Sequence, residues 1–173
     1  MSSALPDAAP LSPAQIRSIV IGLMIAMLLA ALDQTIVATA MPTIGLDLGD
    51  ADNLPWIVTA YLLAATTVTP LYGKFSDIKG RRVTLMVAIV TFVIGSVACA
   101  LAPTMITLAL ARALQGFGGG GLISLAQTII GDIMSPRERA RYQVYIAAVF
   151  VLASLAGPLL GGFFAEQIGR AHV

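Results

Sequence analysis

The chain has 173 residues, of which 58% are hydrophobic and 11% charged, with a mean hydropathy of +0.90. These values lie far from those of a soluble globular domain and point to a polytopic membrane protein. The net charge of +1 says little, because placement rather than total charge orients membrane helices, and the single cysteine, Cys99, excludes a disulfide framework and a cysteine metal site.

Residues 1–17, rich in Ala, Ser and Pro, hold too little apolar surface to fold alone and are expected to be a disordered tail. The expected membrane part covers 18–166. It contains five stretches long enough to cross about 30 Å of hydrocarbon as helices: approximately 19–41, 56–73, 83–101, 106–130 and 144–164. Arg17, the first apolar run and Ala38-Thr39-Ala40 imitate a signal peptide, but Asp33 inside the run and four further spans argue against one. The fold class expected is an all-α membrane bundle.

Charge in the connections sets the orientation. Lys74, Lys79, Arg81, Arg82, Arg137, Arg139 and Arg141 fall in the second and fourth loops and Arg17 precedes the first helix, whereas the first loop has only Asp47, Asp50 and Asp52. By the positive-inside rule the N-terminus is cytoplasmic, and five spans place the C-terminus outside.

Two charged residues lie deep in the spans, Asp33 in the first and Arg112 in the fourth, and such residues normally face a cavity or a partner. Asp33 lies about 12 Å from the end of its span near Met41, and Arg112 about 11 Å from the start of its span near Met105. At matching depth they can pair. One reading is a fixed ion pair that specifies packing; the other is a protonatable Asp33 with Arg112 as its counter-charge and Gln115, one turn on, as a hydrogen-bond partner.

Gly116 and Gly118 to Gly121 follow in the same span. In lipid they allow close helix approach, Gly116 and Gly120 having the small-xxx-small spacing; no strand precedes them and no Lys-Ser or Lys-Thr follows, which excludes a phosphate loop. In the fifth span Gly157-Pro158 and Gly161-Gly162 predict a kink with close contact or flexing around it. Trp56, Tyr61 and Tyr72 do not discriminate between substrate contacts and interface anchors. Asp132, Arg137, Glu138 and Arg139 read as solvated loop charges. The sequence has no Ser-His-Asp set and no metal-ligand cluster; no enzyme activity, metal, cofactor or nucleic-acid partner is expected.

The segment Gly73 to Arg82, GKFSDIKGRR, with Gly73, Asp77, Gly80 and Arg81 at their spacing, resembles the loop between helices two and three of major facilitator superfamily transporters. Leu32-Asp33-Gln34-Thr35-Ile36-Val37 with Met41-Pro42, Arg112-Ala113-Leu114-Gln115-Gly116 and Gly157-Pro158-Leu159-Leu160-Gly161-Gly162 are similar to the fourteen-helix drug:proton antiporter branch. Met41 and Lys79 are mild departures from that pattern.

The resemblance implies a fragment of a multidrug efflux antiporter of the bacterial plasma (inner) membrane, exporting lipophilic or cationic small molecules in exchange for protons. In it, Asp33, Arg112 and Gln115 serve proton coupling or substrate. Gly73, Asp77, Gly80 and Arg81 form a conformational latch, and Gly157, Pro158, Gly161 and Gly162 are the antiporter motif. The lipid bilayer is the partner throughout, with small-molecule substrate and protons partners of the intact parent protein. Alternatives are a transporter of a specific metabolite and a truncated membrane protein incompetent for transport, and the chain alone is expected not to transport. Ile168 to Val173 resembles a reading frame of a sequencing adapter, so 167–173 is expected to be foreign and His172 to have no role.

Overall fold

The computed structural model describes residues 12–171. Residues 1–11, which make up most of the expected tail, and His172 and Val173 lie outside the described residues. Five helices follow one another: α1 (Pro13–Leu48), α2 (Leu54–Lys79), α3 (Arg81–Ala100), α4 (Met105–Ile133) and α5 (Pro136–Ala171), with a 3₁₀ turn at Ala51–Asn53 between α1 and α2. All five have the length and apolar composition to cross a membrane.

Each expected span lies inside one of these helices apart from Leu101, which caps α3, and most helices run further than the apolar runs. Hydropathy marks where a helix meets lipid, whereas capping marks where the helix stops. Thus α1 starts at Pro13, inside the segment read as a tail, because Ser12 Oγ accepts from Gln15 N at 3.3 Å and Gln15 Oε1 accepts from Ser12 N at 2.9 Å. That reciprocal pair satisfies two orphan donors, with Pro13 pre-set for the first turn. At the far end α1 passes through Pro42 and stops at Gly49, whose φ of 63° suits the left-handed cap.

The segment read as a basic hairpin is mostly helix. α2 continues to Lys79, so Gly73 and Asp77 are helical and a single residue, Gly80 (φ 88°, ψ 151°), turns the chain into α3. Gly80 N donates to Ser76 O at 3.0 Å and Gly80 O accepts from Thr84 N at 3.2 Å, so the reversal leaves neither group orphaned.

α4 is the central element. It packs extensively on α2 and α3, α5 packs chiefly on α1, and the contact of α1 with α4 joins the two groups. One apolar core, including Leu23, Met27, Ala88, Leu125, Ile130 and Val149, fills the middle and the basic end; a second, of Ile57, Met105 and Leu108, closes the acidic end that carries Asp47, Asp50 and Asp52. Outside faces remain apolar, with Ile106, Leu110, Val144 and Leu159 exposed, as expected of surfaces solvated by lipid.

Candidate functional site

Asp33 and Arg112 meet. Arg112 Nη1 donates to Asp33 Oδ2 at 2.6 Å and also to Gln115 Oε1 at 2.6 Å, while Gln115 Nε2 donates to Asp33 Oδ1 at 2.8 Å. Gln115 therefore fastens both charges, a closer role than a neighbour one turn away. α1 and α4 run in opposite senses, and since α1 ends at Leu48 rather than near Met41, Asp33 lies about 22 Å from the end of its helix. The pair forms nonetheless, because the two helices are staggered along their lengths rather than flush at their ends.

Three residues join that the sequence reading assigned no part. Gln115 Nε2 donates to Ser96 Oγ at 2.8 Å, Cys99 Sγ donates to Gln115 Oε1 at 3.5 Å, and the Arg112 guanidinium lies over the Tyr61 ring, 4.6 Å from its centroid. Tyr61, 3% exposed, is a buried partner for the cation and no interface anchor. Its position in the second turn of α2 matches that of Arg112 in α4, so the depth argument that paired Asp33 with Arg112 would also have found it. Ser96 and Cys99 give no such signal, since small polar residues are ordinary in membrane helices.

Exposure separates the two charges. The Arg112 side chain is 1% exposed and that of Asp33 21%. A carboxylate that retains access to a cavity can gain or lose a proton, while a guanidinium cannot be deprotonated and is buried as a fixed positive charge.

Glycines hold α4 where this requires. A Cβ at Gly116 or Gly120 would overlap the backbone of Tyr61 or Ala65 on α2, as the small-xxx-small spacing predicts. The same helix is stripped on a second side: a Cβ at Gly118 would overlap Phe92 of α3, and one at Gly95 of α3 would lie 2.5 Å from Gln115 Cα. Gln115 and Ser96 can touch because Gly95 lets the backbones close.

Of the α5 motif, Gly157 and Gly161 face α1 and Gly162 meets nothing within 4 Å. A Cβ at Gly157 would overlap the Thr35 side chain, and one at Gly161 would come 3.0 Å from Thr39 Cβ. Thr35 Oγ1 donates to Ala153 O at 3.1 Å. The helix turn that carries Asp33 thus packs on α5 five residues before Pro158, the Thr35 hydroxyl being shared with Leu32 O at 3.0 Å and Ala31 O at 3.3 Å of its own helix.

At the basic end Arg81 pairs with Asp77 (2.8 Å), donates from Nε to Asp132 Oδ2 (2.8 Å) and contacts Ser76 Oγ. Asp132 is thus no freely solvated charge: the short turn at Gly80 brings the start of α3 beside the end of α4. Arg139 also departs from that expectation, donating to Gly131 O at 2.8 Å. Glu138, ahead of the apolar part of α5, accepts from Ser135, and these bonds hold its carboxyl below the usual carboxylate range. Gly73 stands in open space with no close neighbour. Because the Arg81 pairs are partly solvated, Arg81→Ala is expected to change stability by no more than about 1 kcal/mol, measured by denaturant titration in detergent micelles.

Residues 23–171 match the family model described as Major Facilitator Superfamily. The chain is 41% identical over 150 residues to "Multidrug transporter protein MdtP" of Bacillus subtilis, covering 87% of this chain and 28% of that protein. It is 41% identical over 162 residues to "Multidrug resistance protein 3" of the same organism (94% of this chain, 32% of that protein). A fungal relative, "Efflux pump dotC" of Dothistroma septosporum, is 44% identical over 148 residues (86% and 25%). The chain thus spans about a third or less of the length of these relatives.

Proposed function

Because the chain belongs to the Major Facilitator Superfamily, a family of membrane transporters and not of enzymes, we propose that it supplies part of a proton-coupled multidrug efflux antiporter. Such a protein exports lipophilic or cationic small molecules across the bacterial plasma membrane in exchange for protons. The observation that carries this is the unequal exposure of the Asp33–Arg112 pair, a titratable acid with access beside a permanent cation without it. Relatives named for multidrug transport and efflux support the substrate class.

In this reading Asp33 alternates between proton and substrate. Protonation removes the charge that Arg112 Nη1 and Gln115 Nε2 hold, and the cluster loosens. Thr35, two residues on, conveys the change to α5 beside Gly157 and Pro158, which together permit a repacking of α1 on α5. Asp77 and Arg81, with Asp132, latch the basic end, with Gly73 and Gly80 shaping the segment. The excess of Lys and Arg at that end supports a cytoplasmic location for it and for the N-terminus.

The test is uptake of a lipophilic cationic dye into inverted vesicles containing the intact protein to which this chain belongs. Dye accumulation should collapse when an uncoupler dissipates the proton gradient; accumulation indifferent to the uncoupler would exclude proton coupling. The same assay on vesicles holding only this chain tests the alternative of an inserted chain incompetent for transport.

A further inference from the structure

α2 and α3 are joined by Gly80 alone, yet they pack far less on each other than each does on α4, and two shallow grooves open along them toward the basic end. One, of about 560 Å³, runs along α3 and is walled by Arg82, Val83, Met86, Val87, Val90 and Thr91. The other, of about 170 Å³, is walled by Val68, Leu71, Tyr72 and Phe75 of α2 and again by Val87. Val87 is thus a ridge shared by two adjoining troughs, and it is exposed, as are Met86, Val90, Leu71 and Phe75. At 1.5 Å per residue the trough on α3 extends about 12 Å from Val83 to Thr91, and the one on α2 about 10 Å from Val68 to Phe75.

Each trough ends in a cation. Arg82 closes the one on α3, with Met86 and Val90 following it at four-residue steps, and Lys79 stands one turn beyond Phe75 on the same face of α2. Of the three cations around the turn, Arg81 is taken up by Asp77 and Asp132, whereas among the described residues neither Lys79 nor Arg82 makes an ion pair. The groove of about 540 Å³ between α2 and α4 differs in this respect, since no ionisable group lies in its wall. We propose that the seam of α2 and α3 binds one anionic two-chain phospholipid, its phosphate between Lys79 and Arg82 and one acyl chain in each trough, parted by Val87. A guanidinium fork suits phosphate oxygens, a lysine adds a mobile point charge, and basic pockets between membrane helices select anionic headgroups. A choline headgroup would bring its own cation beside these two, so the site discriminates against zwitterionic lipid. The site is separate from the Asp33 cluster and does not depend on proton coupling.

Native mass spectrometry of the whole chain, released from micelles doped with equal amounts of phosphatidylglycerol and phosphatidylcholine, reads the site directly. The chain should retain one phosphatidylglycerol severalfold more often than phosphatidylcholine. Lys79→Gln with Arg82→Gln should abolish that preference, while Arg137→Gln with Arg141→Gln, which removes two exposed cations from the same end on α5, should leave it intact. Val87→Trp, which widens the ridge and leaves both cations in place, should lower retention severalfold; circular dichroism confirms that each variant keeps its helices. Equal losses from the two charge-removing pairs would show attraction to the basic end as a whole and overturn the site. Retention unchanged by Val87→Trp, or displaced fully by millimolar glycerol phosphate, would show a headgroup phosphate bound without its chains and would overturn it equally.

Discussion

Asp33→Ala is expected to destabilise the bundle by about 3–5 kcal/mol, the usual cost of leaving one partner of a buried pair uncompensated. The magnitude follows from the state of Arg112. It is 1% exposed, its Nε and Nη2 have no hydrogen-bond partner among the described residues, and beyond Asp33 it has only the Gln115 oxygen and the Tyr61 ring. Neither Gln115 nor Tyr61 carries a compensating charge. Replacing both charges, as in Asp33→Asn with Arg112→Met, should recover most of the loss, since a neutral pair of similar volume avoids the desolvation of two ions. Unfolding by denaturant in mixed micelles gives the three free energies. Efflux by the intact protein then decides between the two readings of the pair. A scaffold would regain activity with its stability, whereas a proton carrier would leave the restored double variant folded and without proton-driven transport.

The other large effect is expected at Gly120. Gly120→Leu should cost about 3 kcal/mol or more, at or beyond the upper end of what overpacking does, because the atoms in the way are backbone of Ala65 and cannot rotate aside. α4 would be pushed off α2, and the contact of Arg112 with Tyr61 would separate with it. Gly22→Ala is the matched control: no atom lies within 4 Å of the added methyl, and removing a helical glycine should be neutral or stabilising by about 0.5–1 kcal/mol. Comparable losses at the two positions, in the same micelle titration, would show that glycine content rather than close approach holds the helices.

The presence of five helices was legible because a bilayer imposes a length of apolar chain, and each run is plain in the sequence. Helix ends were less so. Pro13, Leu48 and Lys79 extend beyond the apolar runs, since outside the lipid a helix persists until a cap or a positive-φ glycine such as Gly49 or Gly80 stops it. Asp33 and Arg112 were visible as the charges least tolerable in hydrocarbon, and Gly116 with Gly120 as a packing stripe. Asp132 was misjudged as a loop charge because its partner, Arg81, is far away in sequence and is brought near only by the tight turn at Gly80.

By itself, then, the sequence determined the number of spans, the basic and acidic ends, and which two charges deep in the spans need a partner or a cavity, because these follow from the transfer energies of individual residues. Only the tertiary structure decided that Tyr61, Ser96 and Cys99 complete the cluster, that Gly118 and Gly95 admit α3 as closely as Gly120 admits α2, and that Asp33 keeps an opening while Arg112 is sealed. Those outcomes depend on how the helices rotate and cross, which is set by the joint packing of all their faces and by no single residue's preference.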